Sequence, residues 1–293
     1  MRIYQDLLRY IIENGNDRGD RTGVGTRSVF GHQLRFDLQE GFPLLTTKRV
    51  FWRGIIEELL FFLRGDTNTN ALAEKKIGIW KGNTTRDFLD NRGLDYPEGE
   101  MGPGYGFQWR NWQGTYQTLF DEDGQRRIER KKDGVDQIQR LIDTLKNNPN
   151  DRRMLISAWN VGQLDRMALP PCHYTFQCYV NEGKLSLMWQ QRSVDVALGL
   201  PFNIASYAAL VHILAKVTDL EPGELIFTGG DVHIYLNHIE PLQEQLVRDP
   251  FPLPKLKIHK DLKNIEDIEQ LTFKDFELIG YQYHPPIKMP MAI

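Results

Sequence analysis

Residues 174–193 constrain the fold of this 293-residue chain more than any other stretch. Tyr174-Thr175-Phe176-Gln177-Cys178-Tyr179-Val180 and Leu185-Ser186-Leu187-Met188-Trp189-Gln190-Gln191-Arg192-Ser193 both read as strands, and Asn181-Glu182-Gly183-Lys184 between them reads as a turn. Two such runs make a β-hairpin, so Arg192 and Ser193 return to the end at which Cys172 enters. Cys172 follows Leu169-Pro170-Pro171 and precedes His173, an unusual setting for one of only two cysteines. A guanidinium beside a thiol favours the thiolate, so the pairing predicts a nucleophile with a lowered pKa. A buried structural thiol is the competing reading.

Composition bounds the class. Hydrophobic residues make up 41% and charged residues 26%, which supports a sizeable core and argues against disorder. A net charge of −3 gives no general pull toward nucleic acid or anionic membrane, so any anion must be held by local arginines. Cys172 and Cys178 make no disulfide framework and lie far apart if they share a strand, so a reduced, cytoplasmic setting is expected. Tyr4, Leu7, Leu8, Ile11 and Ile12 predict an amphipathic opening helix, not a signal peptide, and no apolar run is expected to span a bilayer. With no linker, repeat or low-complexity stretch, residues 1–293 read as one α/β or α+β domain.

The remaining stretches carry weaker signals. Residues 17–26 form a loop with Gly19, Gly23, Gly25 and Arg21, suited to an anion or simply a turn. Residues 27–38 alternate as a strand. Residues 50–64 read as a helix whose wet face is Arg53, Glu57 and Arg64, while Glu58 falls among Phe51, Phe61 and Phe62. A carboxylate there is either a general acid or base with a raised pKa or the buried partner of an arginine. Trp80 reads as core, residues 102–110 as a rigid aromatic turn, and residues 113–134 as a solvated surface insertion. A helix is expected over 135–146 and a strand over 154–159, preceded by Arg152 and Arg153 on opposite faces. Asn203 is an N-cap for a helix over 204–217, or an amide that reads an imide edge. His233 and Tyr235 share one side of an extended segment.

Taken in order, these pieces resemble the thymidylate synthase family across essentially the whole chain: Asp20-Arg21-Thr22-Gly23, Leu44-Leu45-Thr46-Thr47-Lys48, Gln108-Trp109-Arg110, Asp151-Arg152-Arg153, Pro171-Cys172-His173, Gln191-Arg192-Ser193, Pro201-Phe202-Asn203 and Gly230-Asp231 with His233 and Tyr235. The resemblance implies an α+β domain with a mixed sheet covered by helices, and a homodimer formed through a sheet face with shared active sites. It implies reductive methylation of dUMP by 5,10-methylenetetrahydrofolate, with no metal, no membrane and no obligatory nucleic acid. Cys172 would attack the pyrimidine, Glu58 would organise proton transfers, and Tyr105, His173 and Arg192 would assist. Arg21, Arg192, Ser193 and, from the neighbouring subunit, Arg152 and Arg153 would bind phosphate. Gln191, Asp195 and Asn203 would hold the nucleotide, and His233 with Tyr235 its sugar. Trp80, Asn83, Leu169, Asp195, Leu198, Gly199, Phe202 and Ile293 would contact folate. Lys81, Gly104, Trp189-Gln190 and Ala197 depart from the family pattern, and the first two keep a pyrimidine hydroxymethylase acting on dUMP or dCMP as the alternative. A catalytically dead binding module would have lost Cys172 or Glu58, and both are present.

Overall fold

The computed structural model describes residues 1–290. In chain order its elements are α1 (Arg2–Asn14), β1 (Asn16–Arg18), β2 (Thr26–Asp37), α2 (Trp52–Leu63), α3 (Asn70–Ala73), α4 (Arg86–Asn91), α5 (Tyr105–Asn111), β3 (Tyr116–Phe120), β4 (Arg126–Arg130), α6 (Gln137–Asn147), β5 (Leu155–Ser157), β6 (His173–Asn181), β7 (Lys184–Asp195), α7 (Gly199–Val217), β8 (Glu221–Tyr235), α8 (Ile239–Leu246), β9 (Lys255–Ile258), α9 (Ile265–Glu269) and β10 (Phe276–Ile279). The expected hairpin is β6 and β7, paired antiparallel from His173↔Gln191 to Asn181↔Lys184.

The hairpin sits in a six-stranded mixed sheet ordered β1-β2-β8-β7-β6-β5. Only β7 and β8 run parallel, and a parallel pair needs a crossover. Helix α7 is that crossover. Along β7, Leu185, Leu187, Trp189 and Gln191 are buried while Ser186, Met188, Gln190 and Arg192 are more open, so one face of the sheet carries the core. α7 packs against β7 and β8 and is buried on nearly every side, and α1 and α2 complete the cover. The other face leaves Phe30 90% exposed, with Tyr179 and Leu155 also open.

Several expectations change. α7 begins at Gly199, not 204, and its 19 residues are long and apolar enough to cross a membrane, although most of them are buried inside the protein. The stretch 102–110 is a turn only as far as Gly104, because α5 starts at Tyr105. Residues 113–134 hold the β3–β4 hairpin, anchored by the buried Tyr116 hydroxyl donating to Glu100 Oε1 at 2.8 Å. The strand expected over 154–159 shortens to Leu155–Ser157, and Arg152 and Arg153 lie in the exposed turn before it. Glu57 is not on a wet face. It is buried and accepts from Lys75 Nζ at 2.6 Å, a partner arriving from beyond α2 that helical periodicity does not reveal.

That pair is asymmetric, with side chains 7% (Glu57) and 42% (Lys75) exposed. Lys75→Met strands a buried carboxylate and is expected to lower stability by about 1–3 kcal/mol, more than Glu57→Gln, which leaves a cation able to reach water. Urea unfolding of the two variants measures the difference.

Candidate active site

The sheet brings the start of β6, the ends of β7 and β8 and the start of β2 to one rim. Ser193 pairs with Asp231, Asp195 with His233, and Thr26 with Tyr235, so positions far apart in sequence converge. A β-bulge between His173 and Thr175 re-aims the chain where Cys172 enters.

Cys172 is held from three sides. Its N–H donates to the Tyr105 hydroxyl at 2.8 Å, and its carbonyl accepts from the Arg192 N–H at 2.9 Å. The Arg192 guanidinium donates from Nε to the Pro171 carbonyl at 2.9 Å and from Nη2 to the Pro170 carbonyl at 3.1 Å. The same Nη2 lies 3.7 Å from Cys172 Sγ, and the guanidinium carbon sits 5.7 Å from the Trp159 ring centre. The expected proximity is therefore present, but the expected net shift is not. Burial raises the thiol pKa and Arg192 only partly offsets it, so the group rests above its ordinary value.

Glu58 accepts from Trp80 Nε1 at 2.8 Å. Burial pushes its carboxyl up to about 7, against the smaller downward pull of that hydrogen bond. Among the described residues its side-chain partner is Trp80 and not an arginine or lysine, which sets aside the ion-pair reading. Phe62, Tyr105 and His173 form a stack, with ring centres 4.9 Å and 4.3 Å apart in turn. Burial drives His173 down to about 3, so it is neutral and shares a 2.9 Å hydrogen bond between Nδ1 and the Tyr207 hydroxyl.

Arg21, Ser193, His233 and Tyr235 line one polar pocket of about 210 Å³, together with Arg18, Asp20 and Asp231. The loop keeps its shape because Asp20 accepts from the N–H and hydroxyl of Thr22 and the N–H of Gly25. Gly25 has φ +81, and a Cβ there would come within 2.9 Å of Leu236, so glycine is required at this turn. Asp231 is shared by Arg18 at 3.4 Å and His233 at 3.1 Å.

Asn203 is not an N-cap. Leu198 occupies that position, and Asn203 lies inside α7 accepting at Oδ1 from Gln191 Nε2 at 3.0 Å. The start of α7 is organised by Asp195, whose Oδ1 accepts from the N–H groups of Ala197 and Leu198, so Asp195, Leu198 and Gly199 form one corner with Phe202 a turn further on. Trp80 joins the site through Glu58, and Asn83 ends the short 3₁₀ turn that follows it. Leu169 is half-buried just before the two prolines. Arg152 and Arg153 do not join the pocket in this chain, and Ile293 lies outside the described residues. Of the departures from the family pattern, Lys81 is exposed, and a Cβ at Gly104 would sit 3.3 Å from the Met101 terminal methyl, which fills that space.

Lys48 had been assigned no role. It is buried under α7, donating from Nζ to the Ala197 carbonyl at 2.6 Å, and burial brings its pKa down to about 8 against the opposing pull of Asp195. Its signal was the polar run Thr46-Thr47-Lys48, buried throughout. Tyr207 and Arg18 were likewise missed, and nothing local marks either one.

Comparison with known proteins gives the family. The thymidylate synthase family model matches residues 2–293. Human thymidylate synthase is 51% identical over 292 residues, covering 99% of this chain and 90% of the human one. Bifunctional dihydrofolate reductase-thymidylate synthase 2 of Arabidopsis thaliana is 52% identical over 293 residues, covering 99% of this chain and 50% of the plant one.

Two measurements test the electrostatics. Alkylation by iodoacetamide should modify Cys172 before Cys178, whose burial lifts its thiol to about 12, and the Cys172 rate should rise with pH through a midpoint above the ordinary thiol value. Arg192→Met should move that midpoint higher still and slow alkylation at neutral pH; an unchanged profile would mean the guanidinium does not act on the sulfur. For Glu58, the folded carboxyl titrates near 7 and its ordinary value is 4.5, so unfolding releases a proton between them. Stability contributed by this group is full below the lower value and lost as pH rises through the higher one. The melting temperature of Glu58→Gln relative to the parent should therefore climb between about pH 5 and about pH 8.

Proposed function

The chain belongs to the thymidylate synthase family, and from that premise we infer how its rim of strand ends converts dUMP to dTMP. The reaction transfers a one-carbon unit from 5,10-methylenetetrahydrofolate to carbon 5 of dUMP and reduces it, leaving dihydrofolate. The observation that carries the residue assignments is that Arg192, which with Tyr105 holds Cys172, is followed on β7 by Ser193, which lines a pocket with Arg21, His233 and Tyr235.

Arg21 and Ser193 take the phosphate, His233 and Tyr235 the sugar hydroxyl, and Asn203 the pyrimidine edge. Cys172 Sγ forms a bond to carbon 6, and the electron pair of the 5,6 double bond makes carbon 5 nucleophilic toward the folate methylene. The thiol rests protonated, so its proton must leave as the bond forms, and the guanidinium at 3.7 Å stabilises the sulfur's developing negative charge. Glu58, poised near 7, can give and take protons at neutral pH. Neutral His173, locked between Tyr105 and Tyr207, orients without adding charge. Carbon 5 then loses its proton, and the bond between the transferred carbon and the folate nitrogen breaks to leave an exocyclic methylene. Hydride from the folate adds to that carbon to complete the methyl group as the sulfur departs from carbon 6, in a site that must exclude water.

Trp80, Asn83, Leu169, Asp195, Leu198, Gly199 and Phe202 are assigned to the folate. Two copies are proposed to associate through the open sheet face bearing Phe30, Tyr179 and Leu155, each lending Arg152 and Arg153 to the other's phosphate pocket. Supporting this, both arginines are exposed and neither lines the pocket of their own chain. A cytoplasmic setting fits the two free thiols, one half-buried and one buried.

Cys172→Ser should abolish turnover while dUMP binding stays measurable, and retained turnover would remove Cys172 as the nucleophile. Glu58→Gln should lower kcat by about 10²–10⁴. Mixing inactive Cys172→Ser with inactive Arg152→Ala/Arg153→Ala should restore part of the activity, since a mixed dimer holds one intact site. No recovery on mixing, with subunit exchange shown separately, would rule out the shared site.

A further inference from the structure

Trp189 is fully buried on β7, two residues before Gln191 and on the same face of the strand. Its indole Nε1 donates to Gln191 Oε1 at 3.2 Å, and Gln191 Nε2 donates to Asn203 Oδ1 at 3.0 Å. The polarity of this relay is chemically forced. An indole N–H can only donate, so Gln191 must turn its oxygen toward Trp189 and its NH₂ toward Asn203, and Asn203 must turn its oxygen toward Gln191. Asn203 then keeps Nδ2 as a donor with no partner among the described residues, beside an oxygen with a lone pair to spare.

Uracil offers an acceptor at O4 and a donor at N3, which this fixed amide can meet. Cytosine offers the reverse, an unprotonated N3 and an amino group, and would need Asn203 turned over. Turning it would set its NH₂ against that of Gln191, and turning Gln191 as well would leave the buried indole N–H facing another donor. We propose that Trp189, through Gln191, is a positioning residue that fixes the Asn203 amide in the uracil-reading sense and so sets discrimination against cytosine nucleotides. The proposal rests on Asn203 as the base reader. It gives Trp189, a departure from the family pattern, a role that needs a side-chain N–H donor at that place.

Phenylalanine at 189 keeps an aromatic ring against Tyr207, which Trp189 stacks on at 5.1 Å and 10°, and removes the donor along with part of the ring volume. Calorimetric titration with dUMP and with dCMP should show the dUMP-to-dCMP affinity ratio falling about three- to tenfold in Trp189→Phe. Gln191→Leu should lower it comparably, and the double variant no further than Gln191→Leu alone. An unchanged ratio in folded Trp189→Phe overturns the proposal, and so does parallel weakening of both ligands, which is what a purely structural role predicts. If Trp189→Phe fails to fold, Gln191→Leu decides in the same way. A parent protein that binds dUMP but forms no dTMP would refute the catalytic reading and leave this ratio test intact.

Discussion

The site depends on one guanidinium. Arg192 donates to the carbonyls of Pro170 and Pro171, which approach Cys172 from one side, and places a further contact on its sulfur. The carbonyls of Pro170 and Pro171 lie outside any helix or strand ladder and need other donors, and the antiparallel β6–β7 register delivers the Arg192 guanidinium to them. The β7–β8 pairing puts Ser193 beside Asp231 and so ties the strand that holds Cys172 to the pocket lined by Arg21, His233 and Tyr235. Loss of that register would disperse the site even with every side chain present.

Burial then gives neighbouring groups different protonation states. Glu58 is lifted toward neutrality, His173 is held uncharged, and the Cys172 thiol rests above its ordinary pKa. A carboxyl near 7 suits proton traffic, and a neutral imidazole between two tyrosines suits orientation. The thiol, raised by burial, does not rest as a thiolate at neutral pH. The Trp80 hydrogen bond on Glu58 keeps that carboxyl from rising further.

Much of this was legible in the chain. The alternation in 174–193 predicts β6, β7 and the return of Arg192 to Cys172, and the apolar surroundings of Glu58 predict its shifted carboxyl. What was missed depends on tertiary contacts. Asn203 looks like a cap because Asn favours that place, yet α7 begins five residues before the expected start, after a turn in which Asp195 accepts from the N–H groups of Ala197 and Leu198. Glu57 looks solvated by periodicity until Lys75 arrives from outside the helix. Arg192 alone predicts a lowered thiol pKa, and only the packed structure shows that desolvation outweighs it. Lys48 and Tyr207 find their partners across long stretches of sequence, Ala197 for the one and His173 for the other, which no local pattern encodes.

The most direct measurement follows absorbance and products together when the protein is given dUMP and 5,10-methylenetetrahydrofolate. One dihydrofolate should appear for each dTMP formed, because the folate supplies both the carbon and the hydride. A hydroxymethylated pyrimidine with tetrahydrofolate left over would mean that water, not hydride, traps the intermediate, and would contradict the account.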